Sequence, residues 1–337
     1  MDIDESWLIP DPSAEPPLKK FAPEEMLTCD GCLRANPPNR GQCMYCGSPL
    51  QPGAGTPDVE AEPVGGEARP GHYVVVRARA AATITNDLVE RLAARFGFKP
   101  EELQAALAIG APLPVTSAPS EESASRIVAE LADDGVETIS VSDIDLKTSL
   151  APFNIRSLEF SDSGITAISK NGRDRPVAQW SDLHLIVTGR LLTHRVEVDE
   201  RRSGSAIKPL DRREISEDKS VMDLYAVSSE VPWRIVVSDF DFSCLGEHKS
   251  LTAFDNAATL IGMLAERSNS ELNDSYGRVK SLIAHVWSLE NTSSESRSRR
   301  PRASRKDFAT VNISSNEAQF NNYSRLMWCL KLQELNS

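Results

Sequence analysis

Four of the six cysteines in this 337-residue chain fall between positions 29 and 46, in the stretch CDGCLRANPPNRGQCMYC. They read as Cys-x2-Cys, a ten-residue gap, and Cys-x2-Cys. Two such turns can present four thiolates tetrahedrally, the closed soft set that zinc favours, and the gap lets the chain return in a short hairpin. Cys29, Cys32, Cys43 and Cys46 are therefore the expected ligands of one Zn2+ ion. Four sulfur ligands leave no open position for water, so the ion is expected to hold a shape rather than do chemistry. Gly31, Gly41 and Gly47 supply backbone freedom for the knuckles, and Pro37-Pro38-Asn39 suits the connecting turn. A redox dithiol would want one Cys-x-x-Cys at the head of a helix instead. Cys244 and Cys329 stand alone and read as buried thiols.

The cluster resembles the Ran-binding nucleoporin type of zinc finger, whose pattern Cys-x2-Cys-x3-Asn-x6-Cys-x2-Cys is met by Cys29, Cys32, Asn36, Cys43 and Cys46. Position 27 carries Leu where that family has Trp. The tail CMYCGSPL is similar to the second half of bacterial zinc ribbons. Both resemblances imply a recognition module for ubiquitin, RNA or other proteins.

Around the cluster, residues 1–25 and 51–71 are rich in Pro, Gly, Ala and Glu without sustained apolar periodicity, so neither can bury enough surface to offset its ordering entropy. The expected organisation is a disordered acidic tail (1–25), a zinc ribbon (26–50), a flexible linker (51–71), a small α+β domain (72–146), a β-rich domain (153–268), and C-terminal helices (269–335) interrupted by a basic linker (291–306). The fold class expected is thus multidomain α+β. The chain lacks a run of eighteen apolar residues and a basic-then-apolar start, so no transmembrane segment and a cytoplasmic location are expected. A net charge of −12 argues against wholesale wrapping of nucleic acid. Locally, RSRRPRASRK at 297–306 holds five arginines and a lysine. That run is either a solvated linker or a dock for an anionic surface.

The α+β domain starts with HYVVVRARA, a β-rich run. ITNDLVERLAARFGF follows, with Ile84, Leu88, Leu92 and Phe96 at helical spacing. Pro100 opens a second helix ended by Gly110. A third has Ser120 as N-cap and Gly135 as its stop, and VETISVSDI closes the unit as a strand. The order β-α-α-loop-α-β, with APLPVTSAP as the loop, resembles the C-terminal domain of the ribosomal stalk protein and the ClpS protease adaptors, which are binding modules. The Asn-Asp-Asp run by which ClpS adaptors grip an N-terminus is replaced here by RARAAA at 77–82, so the degron pocket is not carried over.

From 155 to 245 the period changes to short β-branched runs separated by turns such as Asp162-Ser163-Gly164 and Asn171-Gly172. A helix follows, AFDNAATLIGMLAERS, with Phe254, Ala258, Ile261 and Ala265 expected on one face. Strands with a closing helix resemble bacterial pleckstrin-homology-like domains. In the last helical stretch, Phe320, Tyr323, Met327 and Leu330 share a face that reads as core packing or a partner groove.

The sharpest enzymatic candidate is IVVSDFDFSCL, whose Asp239-x-Asp241-x-Ser243 resembles the nucleophile loop of haloacid-dehalogenase-type phosphatases. Alternation offers a simpler reading, with Phe240 and Phe242 pointing inward and both aspartates facing solvent. His72, His184, His194, His248 and His285 form no metal-ligand pair, and the common phosphate loop and nucleophile elbow are absent. The expectation is therefore a non-enzymatic zinc-binding adaptor that brings proteins together in a bacterial cytoplasm. The alternative is a nucleic-acid-binding regulator using the finger and the 297–306 run. Met44 and Tyr45, with Arg34 and Arg40 at the rim, are the expected partner-binding residues. Leu27, Leu33, Met44, Tyr45 and Leu50 cannot all be hidden in so small a unit; the exposed ones either meet the partner or pack on the neighbouring domain.

Overall fold

The computed structural model describes residues 26–29, 34–37, 43, 50, 71–77, 85–203, 206–297 and 307–336. The expected tail, positions 51–70 of the expected linker, and the basic run beyond Arg297 lie outside the described residues. The chain forms two units, Met1–Glu60 and Ala61–Ser337, and its architecture is mixed α+β. Within the first unit, β1 (Leu27–Thr28) pairs antiparallel with β2 (Ala35–Asn36).

The second unit begins with a three-stranded sheet. Its centre is β3 (His72–Val76), flanked antiparallel by β4 (Leu113–Ala118) and β5 (Thr138–Ser142). Between β3 and β4 run α1 (Asn86–Phe96) and α2 (Pro100–Ala108). The side chain of Thr85 caps α1, and Gly97, at φ +75°, ends it in the left-handed region that costs glycine little. Between β4 and β5 lies α3 (Glu121–Asp133), where Ser120 Oγ accepts from Ser123 N at 3.2 Å as the sequence implies. A short α4 (Asp143–Leu146) follows, opened by a reciprocal capping box between Ser142 and Asp145.

One expectation fails here, since the stretch read as a loop, APLPVTSAP, is mostly β4. Its prolines hid the strand. Because β4 is an edge strand, the N–H that Pro114 lacks is not required there, while Leu113 and Val115 are buried.

The second sheet has nine strands. They are β6 (Phe153–Phe160), β7 (Gly164–Ser169), β8 (Val177–Gln179), β9 (Leu183–Ser203), β10 (Ala206–Ala226), β11 (Trp233–Val236), β12 (Glu271–Asn273), β13 (Glu290–Arg297) and β14 (Asp307–Ser315). Their spatial order is β13-β14-β9-β10-β11-β6-β7-β8, with β12 alongside β9. β11 runs parallel to β6 and β12 parallel to β9, and the other pairs are antiparallel.

LHLIVTG and HRVEVDE, separate runs in the sequence, are one 21-residue strand, β9. Gly189, which ends the first run, is not a turn: a Cβ there would lie 2.3 Å from a Phe320 ring carbon, so glycine lets the ring pass over the strand. The linker expected at 291–306 is also corrected over its first part. Residues 290–297 form β13, paired through Thr292↔Ile313 and Arg297↔Phe308. ENTSSESR offers no apolar alternation to read, because an edge strand can be held by its main-chain ladder and polar contacts, such as Ser314 Oγ donating to Asn291 Oδ1, without an apolar face.

Three helices complete the fold, α5 (Ala253–Ser268), α6 (Tyr276–Ile283) and α7 (Glu317–Leu335). Alternation along the central strands splits the core into two clusters. Leu185, Val187 and Tyr225 join α6, α7 and the three-stranded sheet in one of them, while Ile186, Met222 and Leu224 join Leu260 and Leu264 of α5 in the other.

The expected separation of 72–146 from the β-rich region is therefore not a break between cores. Val74, Leu103 and Leu131 share a cluster with Val187, Phe320 and Leu326. Arg325 of α7 donates to the carbonyls of Leu146 and Leu150 across the expected boundary.

On α5 the expected face is displaced by one residue. Ala257, Leu260 and Leu264 are buried, and Phe254 is 78% exposed. The surface that α5 meets sets the rotation: Leu260 and Leu264 pack in one cluster with Ile186, Met222 and Leu224 of the sheet.

The α7 stripe is core: Phe320, Tyr323 and Met327 are buried, as is Leu326, and Leu330 is half-buried against the same cluster. The N-cap Asn316 and, within α7, Gln319 and Ser324 are buried too, and each is hydrogen-bonded. Asn316 accepts from Leu192 N at 2.6 Å and donates to Tyr276 Oη at 3.0 Å. Gln319 donates to Trp287 O at 2.9 Å and accepts from Tyr276 Oη at 2.8 Å. Ser324 donates to Asp223 Oδ2 at 2.8 Å, and that carboxylate also receives Arg234 Nε at 2.7 Å and Nη2 at 2.8 Å. The Arg234 guanidinium also lies over the Phe320 ring, 5.1 Å from its centroid.

Candidate metal centre

The first unit is small, and its described residues converge on sulfur. The Leu27↔Asn36 and Thr28↔Ala35 pairings return the chain over the first Cys-x2-Cys, and Cys29 N donates to Arg34 O at 3.0 Å to close the turn. Cys29, Cys43 and Leu50 are buried in one cluster, with Leu27 packed against it. The structure thus brings together two of the four predicted ligands, one from each Cys-x2-Cys pair. Cys32 and Cys46 lie outside the described residues, as do Arg40, Met44 and Tyr45. Among the described residues alone, no group of three or more His, Cys, Asp or Glu side chains could hold a metal ion. Arg34 is exposed at the head of β2, a position suited to a rim contact.

Asn36 is the residue whose part the spacing did not reveal. It is fully buried, and its Nδ2 donates to Arg34 O at 2.8 Å and to Cys43 Sγ at 3.4 Å. A buried amide needs partners, and sulfur accepts well only when it is electron-rich, as in a thiolate. One amide therefore ties the first turn to a sulfur of the second pair, the kind of outer contact that orients a metal ligand and lowers its negative charge. The described half of the site fits a thiolate-bound zinc ion. The sequence signal for this contact was an asparagine at fixed distance between the two Cys pairs.

The other sequence candidates take ordinary places. Phe240 and Phe242 are buried and meet edge to face with centroids 4.9 Å apart, as alternation implied. Asp239 faces outward and pairs with Lys170 Nζ at 3.0 Å, which holds its carboxyl below the usual range. Asp241 accepts from Ser243 N at 3.0 Å, and its bonds to Ser243 likewise lower its pKa. The acid proposed as a phosphatase nucleophile is thus engaged in surface pairing. Burial pushes the thiols of Cys244 and Cys329 up to about 11, away from the reactive thiolate. His285 Nε2 lies 2.9 Å from Val115 O, with its ring edge-on to Phe98 at 4.5 Å, so it joins α6 to the three-stranded sheet.

A cleft of about 610 Å3 opens between α4, the 227–230 turn and the second half of α7. Ile144, Lys147, Val227, Trp328 and Leu332 line it. Its one buried cation, Arg325, is committed to the Leu146 and Leu150 carbonyls, and Trp328 stacks on Tyr225 at 5.2 Å. No helix among the described residues is long and apolar enough to cross a membrane. Compared with known proteins, the chain matches no family model, no curated protein and no solved structure.

Proposed function

We propose that the protein is a non-enzymatic zinc-binding adaptor whose first unit, clamped by Cys29, Cys32, Cys43 and Cys46, docks a protein partner. The observation that carries this reading is the Asn36 amide donating to Cys43 Sγ inside a cluster that also holds Cys29. When bound, the ion supplies rigidity and leaves no coordination site for chemistry. This chain's residues do the rest: Asn36 fixes the ligand sulfur, Leu27 and Leu50 close the small core, and Arg34 stands exposed at its rim. A rigid, metal-clamped surface loses little entropy on binding, which suits recognition by Met44 and Tyr45.

The test has two steps. Metal analysis of the purified chain should give about one zinc per chain, lost in the Cys29→Ser/Cys43→Ser variant. A Met44→Ser/Tyr45→Ser variant should keep its zinc and fold but capture less of the partner pulled from the native host by the unaltered protein. Full zinc retention by the cysteine variant would sink the metal assignment, and undiminished capture by the second would sink the docking surface.

A further inference from the structure

β10 is longer than the strand that covers its second edge. One edge pairs with β9 from Ala206 to Ala226, whereas on the other β11 covers only Val221 to Leu224. Among the described residues no strand pairs with that second edge ahead of Val221. Arg212 through Ser220 are exposed there, and Ile215 in their midst is 49% exposed. An open edge of this kind is a template for another strand, and charged side chains are a common guard against it. A guard against a second copy of the same strand works only if the charges that would face each other are alike.

Here they are opposite. The stretch from Arg212 reads RREISEDK, with arginines ahead of Ile215 and carboxylates behind it at matching distances. Set antiparallel to a copy of itself with Ile215 facing Ile215, the strand places Arg213 against Glu217 and Arg212 against Asp218, each pair occurring twice by symmetry. Glu214 faces Ser216, and Asp211 faces Lys219 in the same register. Directly opposed residues of an antiparallel pair share a face, so each of these charge pairs is in reach of its partner. Neighbouring registers lose this match. Centred on Glu214, the strand sets Glu214 against Glu214 and Arg213 against Ile215; centred on Ser216, it sets Arg213 against Lys219 and Glu214 against Asp218. Within the chain, Arg212 already meets Glu214 at 2.7 Å, Arg213 meets Asp211 at 3.6 Å, Lys219 meets Glu217 at 2.6 Å, and Arg190 of β9 meets Asp218. Those contacts run along the strand or back to β9. A guanidinium has five donors and a carboxylate about four lone pairs, which leaves capacity for a partner across the open edge.

We infer that β10 pairs antiparallel with β10 of a second copy of this chain, about a two-fold axis at Ile215. The interface is isologous, the same patch on both copies, and its self-complementary charges select a second copy over a foreign strand. At the axis the two exposed isoleucines cover each other. The strand order across the joint is β14-β9-β10 in one copy followed by β10-β9-β14 in the other, one continuous sheet. Pairing ends at Leu210, where the strand has a bulge against β9. Beyond it, residues 206–209 would meet positions that the copy's β11 already holds, and the bend and added twist of a bulge let the end of β10 leave the shared sheet.

The test is sedimentation of the full zinc-loaded chain. The unaltered chain should show a monomer–dimer equilibrium, with less dimer at about 500 mM than at about 50 mM salt because the charge pairs are exposed. Arg212→Glu/Arg213→Glu and Glu217→Arg/Asp218→Arg each turn four attractive cross-strand pairs into repulsive ones, and each should weaken the dimer about 10–100-fold. Mixed in equal amounts, the two variants should pair with each other and restore the dimer, since every reversed charge then meets a reversed charge. A fluorophore on one variant identifies the mixed species, which forms only if both variants are folded, and far-UV circular dichroism checks each alone. A chain that stays monomeric up to about 100 μM, a generous limit for a small polar interface, overturns the inference. So does a dimer that both variants keep, which would place the contact on another surface such as the β13 edge. Folded variants that weaken the dimer but fail to restore it on mixing overturn the Ile215-centred register and the inference with it.

Discussion

Removing the Asp223 carboxylate is the sharpest test of how α7 is held in the body. Asp223 is completely buried, and Arg234 opposite it is 2% exposed. Burial alone would lower the Arg234 pKa, but the charge and hydrogen bonds of Asp223 outweigh it and raise the value, so the guanidinium stays charged inside the core. Asp223→Ala removes two charge-assisted bonds, at 2.7 and 2.8 Å, and leaves Arg234 with Glu317 Oε1 at 3.3 Å. It also strips Ser324 of its acceptor. Breaking a buried pair from one side costs about 3–5 kcal/mol, chiefly because the remaining charge is uncompensated. Urea unfolding followed by far-UV circular dichroism should show the midpoint fall with an unchanged slope. The double variant Asp223→Leu/Arg234→Met should recover most of the loss, because neither member of the pair is then left buried without its partner. A single-variant loss under about 1 kcal/mol, or a double variant no better than the single, would refute the argument.

Three further outcomes follow from other contacts. Gly189→Ala places a methyl against the Phe320 ring and should destabilise by about 1–3 kcal/mol, with Gly189→Ala/Phe320→Leu regaining part of that in the same urea assay. Asn36→Leu removes the amide from Cys43 Sγ and should weaken zinc binding about 10–100-fold in competition with a chelator, with the zinc still bound one per chain in excess metal. Cys244 and Cys329 have pKa values raised by burial to about 11, so at pH 8 both should alkylate far more slowly than in urea. Being raised in the fold, these values add stability that is complete below the ordinary thiol pKa and is lost as pH rises from about 9 through about 11.

What the sequence showed clearly was whatever local chemistry dictates. Ser120, Gly135 and Pro100 mark helix ends because caps and forced backbone angles act within a few residues. The Phe320, Tyr323 and Met327 stripe was legible because a buried helix face repeats with the helix. β4 was hidden because Pro114 within it and Pro112 and Pro119 beside it imitate a loop, and the position at a sheet edge makes Pro114 harmless. β13 was hidden because a strand without apolar alternation has no periodic signal. The rotation of α5 and the shared core of the second unit depend on which surfaces meet across long chain separations, and spacing within a segment does not carry that. At the candidate site the ligands were legible from spacing, whereas the Asn36 amide on sulfur is a three-dimensional contact between residues seven apart.

The placement of α7 sets an order of events during synthesis. Its 19 residues lie beyond every described strand in the chain, yet they fill the space between the two sheets of the second unit. At about 5–20 residues per second the ribosome takes about 1–4 seconds to add them. Until then, Leu185 and Val187 of β9 and Tyr276 of α6 have no Phe320 or Tyr323 to cover them, and Asp223 and Arg234 pair without the Ser324 hydroxyl. The nascent chain must therefore carry an open apolar groove with all of the described strands already synthesised, and that interval is when a chaperone or a second nascent chain would find it.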